Sequence, residues 1–161
     1  MPNRKEAIEK IKEMIGDIKV AMLTTVDNDG DLHSRPMMTQ AHYFDGDVWF
    51  FAARSSDKIR EIERNPSVNV AYVEGSNFVS IAGTANIVSD VQKKKELWNT
   101  GLKVWFEEGP ESSNVVLIHV DAKTAQYWDA PGNPLSQTVG MVKVLLTGDK
   151  DAAGESEKVQ Y

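Results

Sequence analysis

The stretch 32-LHSRPMMTQAHYFDGDVWFFAARSSDKI-59 opens with a β-rich segment carrying Arg35, turns at Asp45-Gly46-Asp47, and runs through VWFFAA into Ser55-Ser56-Asp57-Lys58. An Asp-Gly turn between β-rich segments predicts a hairpin of antiparallel strands. The polar residues after Ala53 predict a short helix over 56–64, stopped by Asn65-Pro66. With Ser56 at its start, a hydroxyl and the unpaired N–H groups of the first turn share the positive end of the helix dipole, which suits an anion. Lys58 adds a mobile charge, and Arg35 on a neighbouring strand has the fork geometry that grips a phosphate at two points. The same residues also fit a plainer arrangement, with Ser56 as a helix cap and both bases as solvated surface charges.

Working outward, Ile8, Ile11, Ile15 and Ile18 recur at helical steps, and Asn3 with Glu6 makes a capping box, so residues 3–16 read as an amphipathic helix closing at Gly16. VAMLTTV (20–26) and the turn DNDG (27–30) lead into the quoted stretch. Beyond it, SVNVAYVE (67–74) and FVSIAGTANIVS (78–89) form a hairpin pattern around Gly75-Ser76. Ser89 and Gln92 make a second capping-box pattern, opening a helix that reaches Trp98. After the irregular stretch 100–113 come two strand patterns, NVVLIHV (114–120) and TAQYWD (124–129), and then a last apolar segment, VGMVKVLLT (139–147). There is no internal repeat and no βαβ alternation, so closely spaced strands with few helices predict a small antiparallel barrel.

The 161 residues suit a single domain over 1–149, followed by a polar tail, 150–161, whose composition predicts disorder. A net charge of −6 and a pI near 5.1, without a basic cluster carrying interleaved aromatics, argue against nucleic acid as a partner. The longest apolar run, around Val48–Ala53, is too short to span a bilayer, and the alternating charges of MPNRKEAIEKIKEMIGDI are unlike a signal peptide. With no Cys to form disulfides or a thiolate metal site, the expected compartment is the cytoplasm, without a membrane partner. His33, His42 and His119 fall on three separate strand patterns without carboxylates at ligand spacing, which argues for structural histidines over zinc. No dinucleotide fingerprint, P-loop or nucleophile elbow is present. Lys93-Lys94-Lys95 reads as a solvated helix face.

The order Ser34-Arg35-Pro36-Met37, Asp-Gly turn, VWFFAARSSDKI resembles the flavin-binding split-barrel superfamily of pyridoxamine 5'-phosphate oxidase-like proteins. ELWNTGLKVWFEEGP (96–110), AQYWD (125–129) and LLTGD (145–149) are similar to its general stress protein branch, and the resemblance runs from about residue 8 to residue 149. It implies a mainly β fold with flanking helices, a six-stranded antiparallel split β-barrel of the FMN-binding type. It also implies flavin mononucleotide (FMN) as cofactor and a homodimer with flavin sites at the interface. By this resemblance Arg35 and Lys58 bind the phosphate and Ser56 donates a hydrogen bond to it. Pro36, Met37 and Met38 run along the ring, and Phe50, Phe51 and Ala52 form the facing wall. Thr39 and Gln40 reach the ring edge, and Trp105 and Trp128 approach the flavin, with the partner chain as a possible source. The tryptophans and methionines equally suit core or interface packing.

The resemblance implies a stress-linked FMN-dependent oxidoreductase that uses a small-molecule electron donor or acceptor. A flavin-binding or flavin-sequestering stress protein without turnover is the alternative, and a split barrel serving only as an interaction module is a third reading. No side chain stands out as a catalytic acid or base. Pyridoxamine phosphate oxidation itself is disfavoured, because LLTGDKDAAGESEKVQY departs from the Arg- and Trp-bearing C-terminal segment of the true oxidases.

Overall fold

Asn3 starts the first helix, α1 (Arg4–Ile15), by a reciprocal pair of bonds: its side chain accepts from the Glu6 N–H, and Glu6 Oε2 accepts from the Asn3 N–H at 3.0 Å. The helix buries Ala7, Ile8, Ile11, Met14 and Ile15, the stripe that its periodicity marks out. The computed structural model describes residues 3–40, 44–129, 140–146 and 156–160, with the backbone alone at 129, 140–144 and 156–160.

The strands are β1 (Val20–Val26), β2 (Leu32–Met38), β3 (Asp47–Ala53), β4 (Ser67–Glu74), β5 (Asn77–Val88), β6 (Val115–Asp129), β7 (Gly140–Leu145) and β8 (Ser156–Gln160). Two further helices, α2 (Asp57–Arg64) and α3 (Val91–Leu97), and the 3-10 helix Thr100–Val104 lie between them. The sheet runs β2-β1-β4-β5-β6-β7-β8, with β3 also on β6, and every pairing is antiparallel. Strands β1 to β6 form the six-stranded curled half-barrel of a split-barrel fold.

Several expectations need correction. The Asp-Gly turn does not close a hairpin: β2 pairs along its whole length with β1, and β3 pairs from Asp47↔Asp121 to Ala53↔Val115 with β6. Pairing with β6 buries Val48, Phe50 and Ala52 in the main core, which outweighs what a local hairpin offers. The two strand patterns at 114–120 and 124–129 are one strand, β6: the buried positions Val120 and Ala122 pass to Ala125 and Tyr127 across a bulge at Lys123, which changes the alternation without ending the pairing with β5. Opposite this junction the β5 register shifts at Ala82/Gly83, where a Cβ on Gly83 would lie 2.3 Å from the Asp121 carbonyl oxygen. The cap of α3 is Asp90, whose carboxylate accepts the Lys93 N–H at 2.9 Å; the Ser89 hydroxyl is taken instead by Arg54.

Within the lysine run only the outer two are solvated. Lys93 lies over the Trp49 ring at 4.8 Å and Lys95 pairs with Glu111 at 2.8 Å. Lys94 is buried, and its Nζ donates to the carbonyls of Ser112 and Val115, both at 2.9 Å. Burial, with some repulsion from Arg54, lowers its pKa. In the segment expected to be a disordered tail, the backbone of 156–160 pairs with β7, whose second edge offers main-chain partners whatever the side chains. Residues 147–155 and His42 lie outside the described residues.

Two cores result. Leu23, Phe50, Val70, Tyr72, Ile81 and Ile118 fill the barrel interior under α1, while Phe51, Leu97, Leu102, Val115 and Leu117 form a second cluster outside β3 and β6, beneath α3 and the 3-10 helix. His33 pairs with Asp27 at 2.7 Å. His119 stacks on Trp49 at 4.3 Å between Asp47 and Asn86, each 3.0 Å away. Among the described residues no helix is long and apolar enough to cross a membrane.

Candidate functional site

Because β2 and β3 each spend one edge on a neighbour and are not paired with each other, the barrel stays open between them. A cleft of about 240 Å³ occupies that opening. Pro36, Met37 and Met38 line it from β2, Phe51, Ala52 and Ala53 from β3, and Leu102, Trp105 and Phe106 from the 3-10 helix and the residues after it. Lys58, in the first turn of α2, brings the charge. The lining is mostly apolar, and Trp105 is 69% exposed.

The charged end is built across three elements. Arg35 Nη1 donates to Thr25 Oγ1 at 2.6 Å and to the Leu23 carbonyl at 3.3 Å, and its Nη2 donates to Glu61 Oε2 at 3.1 Å. Thr25 Oγ1 in turn donates to the same Glu61 oxygen. Lys58 lies one turn before Glu61 on α2, yet no carboxylate of the described residues makes an ion pair with it. Burial lowers its pKa, and repulsion from Arg35 adds to the effect.

Of the residues expected at a site, the cleft gathers Pro36, Met37, Met38, Phe51, Ala52, Lys58 and Trp105, and Arg35 stands close enough to act on Lys58. Others lie elsewhere. Phe50 is fully buried in the barrel core, on the face of β3 opposite Phe51, as strand alternation requires. Thr39 follows β2 with its Oγ1 buried and without a well-formed hydrogen bond among the described residues. Ser56 stands at the start of α2, but its hydroxyl donates to the Ala53 carbonyl at 2.7 Å and does not cap, since that carbonyl closes the tight β3–α2 turn. Among the described residues the first-turn N–H groups of α2 therefore have no side-chain acceptor. Trp128 is on β6, opposite Phe78, and does not line this cleft within one chain. The sequence reading missed Leu102 and Phe106, and it missed Glu61 and Thr25, which hold Arg35. The one available signal for Glu61 was its place one helical turn after Lys58.

Comparison with known proteins agrees with this architecture. Residues 6–152 match the family described as pyridoxamine 5'-phosphate oxidase like. The chain is 34% identical to general stress protein 26 from Bacillus anthracis, whose crystal structure matches 75% of this chain and 92% of that one with a TM-score of 0.68. It is 29% identical to the general stress FMN/FAD binding protein of Xanthomonas citri, covering 82% of this chain and 94% of that one with a TM-score of 0.68. Protein bli-3 of Neurospora crassa is 27% identical over 155 residues, 89% of this chain and 74% of that protein. By fold, by the order of its motifs and by a match over most of its length, this chain belongs to the pyridoxamine 5'-phosphate oxidase-like family.

Proposed function

We propose that this chain is a flavoprotein that binds FMN in the cleft between β2 and β3 and acts as a flavin-dependent oxidoreductase on a small-molecule donor or acceptor. The observation that carries the reading is the cleft itself: a mostly apolar slot between two strands that is also lined by Lys58, a half-buried cation without an ion-pair partner among the described residues. A flavin needs an apolar slot for its ring and an anion site for its tail. The residues present fit that group: Met37, Met38, Phe51 and Trp105 would flank the ring, and Lys58, Arg35 and the first turn of α2 would hold the phosphate. The name of the Xanthomonas citri relative, a general stress FMN/FAD binding protein, supports a flavin and a link to stress. When bound, the flavin supplies the redox chemistry, and the protein supplies binding, orientation and partial exclusion of water.

One chain offers about 240 Å³, below the roughly 300–1,000 Å³ of ordinary ligand pockets. A second copy would supply the missing wall. The outer face of the sheet carries an apolar row across five strands, Met38, Val20, Val73, Phe78 and Trp128, joined by the pairs Val20↔Met38, Val73↔Phe78 and Phe78↔Trp128. Val73 is 63% exposed and Val20 51%, a contiguous surface that suits a self-complementary two-fold contact. Met38 belongs to both the row and the cleft, so a homodimer on this face would build its two sites at the interface, with Trp128 within the contact.

Titration of the purified protein with FMN tests the reading, followed by assay of the holoprotein with reduced nicotinamides. Saturable binding with steady turnover is the expected result. Saturable binding without turnover across a panel of reductants would assign the chain to flavin binding or sequestration, and no binding would remove the flavin reading altogether.

A further inference from the structure

We propose that Glu61, working through the buried Thr25, is a positioning residue that fixes the Arg35 guanidinium so that one of its two-donor edges stays available to a phosphate monoester. The inference rests on the phosphate reading of the cleft and deepens it. A guanidinium has five N–H donors. Three are spent: both on Nη1, to Thr25 Oγ1 and the Leu23 carbonyl, and one on Nη2, to Glu61 Oε2. The Nε–H and the second Nη2–H have no partner among the described residues, and they lie side by side along one edge, the arrangement that binds two oxygens of one phosphate.

The holding groups suit a fixed clamp. Thr25 is fully buried, and its hydroxyl closes a ring by accepting from Arg35 and donating to Glu61. The Arg35 and Glu61 side chains are 23% and 16% exposed, so the pair is shielded more than a surface bridge. Glu61 also offsets part of the charge of Arg35, and Lys58 is left as a cation with no ion-pair partner among the described residues. At Lys58, the attraction of Glu61 therefore opposes the repulsion of Arg35, although burial and that repulsion still leave the Lys58 pKa below its ordinary value.

The test uses the full-length protein with FMN and riboflavin as probes, and reads the ratio of their dissociation constants. Glu61→Ala should lower the preference for FMN by about tenfold or more, the worth of one charge-assisted hydrogen bond, with riboflavin affinity held within about twofold. Glu61→Gln keeps an acceptor for Arg35 and should restore most of the preference. If Glu61→Ala yields too little folded protein, Thr25→Val serves instead: it keeps the carboxylate and removes the hydroxyl, and should lower the preference by about threefold or more. An unchanged or increased FMN preference in Glu61→Ala, or an unchanged one in Thr25→Val, would overturn the positioning role. A wild-type protein that binds riboflavin as tightly as FMN would instead overturn the phosphate reading beneath it.

Discussion

Replacing Lys58 by Ala removes the positive charge lining the cleft that, among the described residues, makes no ion pair with a carboxylate. Arg35 and Glu61 form a 3.1 Å ion pair and cancel, while Asp57 is exposed and held by Arg60, so Lys58 alone leaves the phosphate end with net positive charge. A hydrogen bond to a charged group contributes roughly 1.5–3 kcal/mol. Lys58 is half-buried and not enclosed, so water screens part of that, and the lower half of the range applies: about 1.5–2 kcal/mol, or roughly 13- to 30-fold in affinity. Riboflavin, which lacks the phosphate, should change by less than about twofold. Quenching of flavin fluorescence measures both constants. The pH profile adds a sign. The pKa of Lys58 lies below its ordinary 10.5, so its charge is lost as pH rises through that lowered value, and FMN affinity should fall on the alkaline side in wild type and less in Lys58→Ala. Equal losses for FMN and riboflavin, or no loss for either, would refute a phosphate role for Lys58.

Three further outcomes follow from the fold. The buried Tyr72 hydroxyl has no well-formed hydrogen bond among the described residues, and burial raises its pKa from 10.0 to about 12, opposed by the nearby Thr39 hydroxyl. Below the unfolded value the phenol is neutral in both states; above it the unfolded chain ionises first, so stability from this group is lost as pH rises toward the folded value, by roughly 2–3 kcal/mol. Tyr72→Phe should show a smaller loss in urea melts between neutral pH and about pH 11, and should stay within about 1 kcal/mol of wild type at neutral pH. Gly83→Ala should cost about 3 kcal/mol or more, read as a fall in Tm, because its Cβ would collide with backbone and no side chain can yield. Phe78→Glu, placed in the middle of the exposed apolar row, should give a folded monomer by sedimentation equilibrium; a dimer of unchanged affinity would place the contact elsewhere.

Elements set by local chemistry were legible in the sequence. Asn3 and Glu6 mark the start of α1, Asn65-Pro66 the end of α2, and Gly75, at a φ of 58°, the β4–β5 hairpin. What was not legible depends on which edges meet. An Asp-Gly turn favours a hairpin, but β6 competes for β3 from more than sixty residues away, and nothing within 32–59 encodes that competition. The family resemblance identified the strands that flank the cleft and most of the residues lining it, but not that Phe50 turns away from it. Phe50 and Phe51 are adjacent, so alternation alone sends one of them into the core, and the pairing with β6 decides which. Glu61 escaped notice because its partners, Arg35 and Thr25, are brought to it only by tertiary packing of α2 against β1 and β2.

The most direct measurement is the amount of FMN retained per chain when protein saturated with FMN is freed of excess by gel filtration, compared between wild type and Ala53→Trp, an exposed position on the Phe51 face of β3 that lines the slot. Occupancy approaching one flavin per chain in wild type, with little or none in folded Ala53→Trp, is the result expected if the cleft is the flavin site. Equal retention by both proteins, or none by wild type, would contradict it.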